Sequence, residues 1–418
     1  MSTASVSSIS RRRHQQSSPG PTKHHQIVIV GGGSGGATAA ARLCRKLKHP
    51  DLAVIEPSET HDYQPLWTLV GGGVLPKERS RHHEIDALPR NATWIKDRVT
   101  SFDPSDNQVV LGDGSRVSYD YLIVAVGIKL NWAAIKGMSV EQVGRDGVCS
   151  NYLYDGCEGT WRTLREFTGG TAVFTNPPQP IKCAGAPQKI MYLADEYFRK
   201  QGLRGKTKII YASATPGIFA VKEFAKPLNE VIARKRIGTL YKHMLVEIRP
   251  AERKAIFQSV ERDDRIEIDY QMIHVTPPQG PPDVIKDSPL ADAAGWVNVD
   301  RHTLQHPEFP NVFSLGDASS LPTSKTGAAI RKQAPVVVHN LLATMNGQPR
   351  STFKRYDGYS SCPLVTGYGR LILAEFDYDL KPAPSFPFNT AKERWSMYQL
   401  KRYGLPALYW QGMLKGRA

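Results

Sequence analysis

The chain has 418 residues, 40% of them hydrophobic, with 35 glycines and 30 prolines. That length exceeds one compact core and suits two or three domains, and no residue type dominates a run, which excludes low-complexity classes. The net charge of +15 suits an anionic ligand or an anionic membrane surface. No nucleic-acid-binding motif accompanies it, so no nucleic acid partner is expected.

Residues 1–25 stand apart: they are serine-rich, contain RRRHQQ and carry no acid, the first being Asp51. This composition fits a mitochondrial transit peptide or a disordered basic tail. The five cysteines (44, 149, 157, 183 and 362) show neither metal-ligand spacing nor CxxC, so no metal is expected. No run of about 20 apolar residues exists, so no transmembrane helix is expected. His24-His25 and His82-His83 read as loop residues.

From Gln26 the pattern changes. HHQIVIV is an apolar strand, GGGSGG a turn, ATAAARLCRKL a helix and DLAVIEP a second strand, together a βαβ unit. Gly31, Gly33 and Gly36 match GxGxxG within that turn. The first permits the tight turn, the second a close approach of backbone to pyrophosphate, and the third close helix–strand packing. Glu56 ends the next strand, 20 residues after Gly36. It is placed to bond ribose hydroxyls, which disfavours a 2′-phosphorylated ligand.

Residues 107–118 alternate across Gly-Asp-Gly and predict a hairpin. YDYLIVAVG reads as a buried parallel strand ending at Gly127, a further candidate on the cofactor side. A second α/β unit follows: TAVFTNPP (strand), PQKIMYLADEYFRKQG (helix), KIIYASA (strand), FAVKEFAKPLNEVIARK (helix) and HMLVEIRP (strand). It lacks a second GxGxxG. After KIIYASA only Gly217 remains, with Ile218 and Phe219 where a phosphate needs bare backbone, so this nicotinamide site reads as degenerate. In the third unit NVFSLGDAS places Asp317 after a strand and a glycine, as in flavoproteins of two dinucleotide domains, where such an aspartate bonds the ribityl chain. Thr326-Gly327 opens a helix whose N-terminus suits a reduced flavin, and Lys325 lies just before it, either polarising the flavin or standing as a solvated loop lysine. The cofactor read from these residues is FAD, bound noncovalently.

Cys183 precedes a helix expected to begin near Pro187. That helix end and Lys182 are expected to depress its thiol pKa. Cys362 precedes Pro363 in what reads as an exposed Ser/Gly-rich turn. Read from residues alone, the two are either a redox pair or unrelated loop cysteines. Glu158 and nearby histidines are candidate proton carriers. The C-terminal stretch mixes Trp395, Met397, Tyr398, Leu400, Leu405, Leu408, Tyr409, Trp410 and Met413 with Lys and Arg, and Pro406 is expected to split it into two short helices. This is the composition of an interfacial anchor; the alternative is packing on the protein body or in a homodimer.

The segments HDYQPLWTLVGGG, IKCAGAPQKIMYLADEYFRK, HVTPPQGPPDVIKDSPLADAAGWVNVD, NVFSLGDASSLPTSKTGAA and YDGYSSCPLVTGYGRLILAEFDYD resemble the mitochondrial sulfide:quinone oxidoreductases from about Gln26 to the end. The resemblance implies an α/β fold of two Rossmann-like domains. The expected parts are the FAD domain (26–149 and 286–350), an inserted second domain (150–285) and a membrane-associating C-terminal region (351–418). It implies FAD as cofactor, hydrogen sulfide as donor, ubiquinone as acceptor, and glutathione or sulfite as sulfur acceptor, at the mitochondrial inner membrane in peripheral or monotopic association. It makes Cys183 and Cys362 the catalytic pair, with Cys183 facing the flavin and Cys362 carrying the persulfide. Tyr368 and Phe376 become quinone-site candidates, with core packing as the other reading. One departure is Ala318, after the GD of the FAD motif, where relatives carry a cysteine. The competing classes are a type II NADH:quinone dehydrogenase, which needs a working second nucleotide motif, and a flavoprotein of the apoptosis-inducing-factor kind.

Overall fold

The computed structural model describes residues 22–418, so the targeting-peptide expectation lies almost wholly outside the described residues. The first unit comprises β1 (Lys23–Val30), α1 (Ser34–Lys46), β2 (Leu52–Ile55), β3 (Thr93–Ile95), β4 (Val99–Asp103), β5 (Gln108–Leu111) and β6 (Arg116–Val124). The second comprises β7 (Val148–Cys149), α2 (Tyr154–Glu166), β8 (Gly170–Asn176), α3 (Ala186–Lys200), β9 (Thr207–Ser213), α4 (Lys222–Lys235), β10 (Gly238–Tyr241) and β11 (Met272–His274). The chain then returns with β12 (Val312–Ser314) and α5 (Gly327–Met345), and ends in a hairpin, β13 (Ser360–Gly367) and β14 (Arg370–Phe376), and a helical C-terminal segment.

The first sheet runs β3-β2-β1-β6-β5-β4, with β12 added beside β6. Ile27, Val28 and Ile29 of β1 are fully buried, as a parallel strand covered on both faces requires. β6 serves three partners: it pairs in parallel with β1 along nearly its whole length, its N-terminal half closes the expected hairpin with β5, and its C-terminal end pairs in parallel with β12. The second sheet, β7-β11-β8-β9-β10, is parallel throughout. The chain leaves the first unit at Lys129–Leu130 and returns at Gln279–Gly280, and these two crossings pair antiparallel.

Four local expectations change. His24 and His25 belong to β1, which starts at Lys23, because its first turns pair with Val117–Tyr119 of β6. His82 and His83 lie in a short strand, Arg81–His83, paired with Thr60–Asp62. Pro406 does not split the C-terminal segment, because π-helical turns on either side keep 395–415 one helical run. Cys362 is not in an exposed turn but fully buried within β13. Proline at 363 is tolerated there because the hairpin is two-stranded and leaves an edge; the actual turn is at Tyr368-Gly369, where Gly369 has φ +76°.

Carboxylates at the far end of α3 hold this hairpin in place. Asp195 is fully buried and takes Arg204 Nε at 2.7 Å, Arg199 Nε at 3.0 Å and Lys235 Nζ of α4 at 3.1 Å. Glu196 takes Lys235 Nζ at 3.0 Å, Arg370 at 2.7 Å and the Tyr368 amide at 2.7 Å. Burial alone would raise the Asp195 pKa, but its three cations hold it below the usual range. Its stabilisation is therefore present above the ordinary aspartate range and lost as pH falls through the lower, folded-state pKa. Asp195→Ala leaves a buried Lys235 short of one partner and should cost about 3–5 kcal/mol. A chemical-denaturation midpoint equal to wild type would contradict this clamp.

Candidate active site

The parallel strands β1, β6 and β12 end in register, with Val30 and Ser314 both opposite Val124. The turns that follow open on one edge, the place where open α/β sheets receive ligands. Gly31 turns with φ +100° directly beneath the Ala125 carbonyl, and a Cβ on Gly36 would overlap the Gly31 carbonyl. At Gly33, Gly127 and Gly327 a Cβ would meet nothing within 4 Å, so bare backbone faces open space. Glu56 Oε2 accepts the Gly32 amide at 2.7 Å, and burial raises its pKa. Asp317 follows β12, with its pKa raised by burial against the pull of Lys325 and Lys182. Thr326 caps α5, its hydroxyl accepting the Ala329 amide at 3.1 Å. An open glycine cradle at two helix N-termini, with Glu56 and Asp317 at its rim, fits FAD.

Lys325 is not a solvated loop lysine. It is 7% exposed, lies 3.8 Å over the Trp296 ring and donates to the carbonyls of Asp317 (2.7 Å) and Ser319 (3.0 Å). Burial lowers its pKa to about 8.

The two cysteines meet beside this cleft. Their sulfurs are 2.8 Å apart across 179 residues of sequence, and both are free thiols. Both are tied to the segment before α5. Lys182 bridges Lys325 as a β-partner, the Ala184 amide donates to Ser324 Oγ at 3.3 Å, and Ser360 Oγ donates to the Ser324 carbonyl at 3.0 Å. Cys183 has φ +86°, a conformation costly for a side chain with a Cβ, of the kind that collects at reactive sites.

The thiols are unequal. The Cys183 pKa is lowered by the hydrogen bond with Cys362, against burial, and by the Lys189 ammonium, whose Nζ donates to its sulfur at 3.3 Å. Lys401 adds a further positive charge. The Cys362 pKa is raised by the same contact, by burial and by the negative neighbour. The expected role of Lys182 falls to Lys189, since Lys182 Nζ turns away to Gln64 Oε1 at 2.7 Å. Lys189 and Lys401 are 4% and 3% exposed, and burial, with repulsion from Lys189, lowers the Lys401 pKa to about 7.

Three residues escaped the sequence reading. Lys189 had a signal, a lone cation in the apolar run QKIMYLA, in the first turn of the helix that follows Cys183. Lys401 had none, since it reaches the thiols only through folding of the C-terminal segment. Gly185 is required because a Cβ would overlap Leu364 and stand 3.5 Å from Cys362 Sγ.

Other candidates disperse. Glu158 pairs with Lys77 at 2.9 Å and is 54% exposed, on the outer surface of α2. Tyr368 and Phe376 sit at opposite ends of the β13–β14 hairpin. Tyr368 lines a cavity of about 530 Å³ with Trp161, Tyr197, Trp395 and Tyr398. Phe376 does not; it packs edge-on to Phe219 at 5.9 Å. Phe219, which follows β9 in the second unit, also borders the cysteine turn, since a Cβ on Gly185 would come 3.3 Å from its ring.

Residues 25–169 match the pyridine nucleotide-disulphide oxidoreductase family. The mitochondrial sulfide:quinone oxidoreductase of Dictyostelium discoideum is 47% identical over 90% of this chain and 83% of its own length. That of Mus musculus is 46% identical over the same shares. The solved sulfide:quinone oxidoreductase of Aquifex aeolicus shares the fold at TM-score 0.79 and 21% identity, covering 95% of this chain and 93% of that one.

Lys189→Met should raise the pH midpoint of Cys183 alkylation in the reduced protein by about one pH unit. Iodoacetamide rates followed by peptide mass mapping measure it, and an unmoved midpoint would remove Lys189 from the site.

Proposed function

The chain belongs to the mitochondrial sulfide:quinone oxidoreductase family, and from that premise we propose that Cys183 and Cys362 carry the oxidation of sulfide. The single observation behind this reading is the 2.8 Å approach of two unequal thiols at the edge of the cofactor cleft.

In the oxidised form the two sulfurs share a bond. HS⁻ attacks one of them, and the other leaves as a thiolate. The better leaving group is the thiol of lower pKa, which is Cys183, held by Lys189 and Lys401. Sulfide therefore attacks Cys362, giving Cys362–S–SH and a Cys183 thiolate with no atom or electron unaccounted for. An anionic thiol such as glutathione, or sulfite, takes the outer sulfur and leaves Cys362 as a thiol, which keeps the persulfide's proton. The Cys183 thiolate and the Cys362 thiol then re-form their bond and release a proton and an electron pair. Bound FAD supplies the two-electron relay that takes this pair on to quinone. The chain's part is to keep Cys183 at the cleft, to exclude water by burying Cys362, and to draw anions with two buried ammonium groups.

The Tyr368 cavity, lined also by Lys200, Gln201, Gln399 and Arg402, opens beside Trp395, which is 68% exposed, and suits a quinone, whose ring can stack on aromatics and whose carbonyls accept hydrogen bonds. It lies at the opposite end of α3 from Cys183, about 20 Å away by helix rise, so it is proposed as the mouth of the quinone path rather than its reactive end. Phe376 lines no part of it. Membrane contact is assigned to Trp395, Tyr403 and Leu408, the exposed large apolar residues of the C-terminal segment. The rest of the expected anchor is spent on the protein body: Met397, Tyr398, Tyr409, Trp410 and Met413 are buried. No helix among the described residues is long and apolar enough to cross a membrane.

Cys183→Ser and Cys362→Ser should each retain FAD and lose nearly all sulfide-dependent quinone reduction. Turnover persisting in both would sink the relay. In rapid mixing, sulfide together with sulfite should bleach the flavin and NADH should not; the reverse would favour an NADH:quinone dehydrogenase.

A further inference from the structure

The C-terminal segment crosses the FAD unit as a strap, fastened along its length. Lys401 Nζ donates to the Pro65 carbonyl at 2.9 Å, and the Tyr409 ring lies 4.5 Å from that of Tyr63. Trp410 stacks on His82 at 3.8 Å, Lys415 Nζ donates to the Asp86 carbonyl at 2.8 Å, and Arg42 donates to the Ala418 carbonyl.

At its centre runs a buried chain of hydrogen bonds that the sulfur chemistry does not use. His61 Nδ1 stands 3.0 Å from Glu84 Oε2, and His61 Nε2 stands 2.5 Å from the Tyr409 hydroxyl. That hydroxyl is 2.7 Å from Ser34 Oγ. Glu84, His61 and Tyr409 are 2%, 3% and 2% exposed. Burial drives the Tyr409 pKa up, which keeps its proton available for sharing. Ser34 is the first residue of α1 and lies inside GGGSGG, the pyrophosphate loop. Glu84 also closes on the loop itself, since a Cβ on Gly32 would come 2.7 Å from Glu84 Oε1. The loop is thus held from two sides: Glu56 takes the Gly32 amide and Tyr409 takes the Ser34 hydroxyl.

We propose that Tyr409 and His61 are positioning residues for the FAD pyrophosphate loop, and that seating of the C-terminal strap and retention of FAD are linked. The inference rests on FAD binding at this loop and on no part of the sulfide reading. The physical ground is reciprocity: if the seated strap favours the loop geometry that binds FAD, bound FAD must favour the seated strap to the same extent. The linkage also reaches the thiols, because the strap carries Lys401. Its exposed residues Tyr403 and Leu408 precede Tyr409 on the same helical run.

The test uses the holoenzyme. Tyr409→Phe should release FAD about three- to tenfold more readily on dilution, the range expected for one lost hydrogen bond. Flavin fluorescence follows the release. His61→Gln should do the same, and the double variant should add little, since both interrupt one chain. Tyr63→Phe, which keeps the ring packing and lies outside the chain, should release FAD at the wild-type rate. In wild type, excess FAD should slow tryptic cleavage within residues 394–402, and Tyr409→Phe should blunt that protection. Wild-type FAD release in both Tyr409→Phe and His61→Gln, or strap cleavage indifferent to FAD in wild type, overturns the proposal. Should Tyr409→Phe fail to fold, the wild-type cleavage comparison still decides.

Discussion

Everything at the site depends on one contact between residues that the chain itself keeps far apart. Cys183 precedes a helix of the second unit, Cys362 lies in a hairpin after the FAD unit has closed, and their sulfurs approach to 2.8 Å. Two anchors set that approach. At the near end both cysteine segments are bonded to Ser324, just before α5. At the far end Asp195 and Glu196 clamp α3, α4 and the hairpin turn together. With both ends of α3 held against the hairpin, the sulfurs have little freedom to separate, and the charges around them decide which one is the leaving group.

The asymmetry is electrostatic. An ammonium that donates to Cys183, with a second one behind it, stabilises a thiolate there, and that thiolate in turn disfavours a second charge on Cys362. Lys189 and Lys401 are themselves buried, a costly arrangement unless a negative partner is present. The thiolate supplies that partner in the reduced enzyme, so the site is built for one negative sulfur at a time.

Much of this was legible in the sequence, for identifiable reasons. The glycine turn, Glu56 and Asp317 are local signatures, set by backbone needs at strand ends, and they lie where those needs place them. The start of α3 near Pro187 and the helix opening at Thr326-Gly327 were readable for the same reason. What escaped depended on tertiary packing. Cys362 read as an exposed turn because Ser, Pro and Gly surround it, yet the strand it occupies is covered by α3 and α5. The C-terminal aromatics read as an anchor because composition does not distinguish a lipid-facing surface from one facing protein, and most of them face protein. Lys401 and Tyr409 carry no local signal, since their partners lie more than 300 residues earlier. The strap thereby joins three regions: the FAD loop, the thiol pair and the exposed apolar surface.

The central claim is that Cys183 is the leaving thiolate and Cys362 holds the sulfane sulfur. Its most direct test is an anaerobic single turnover of oxidised holoenzyme with sulfide, without a sulfur acceptor, quenched with alkylating agent and mapped by peptide mass. The expected result is one additional sulfur on the peptide containing Cys362 and a singly alkylated Cys183. An additional sulfur on Cys183, or on neither cysteine, would contradict it.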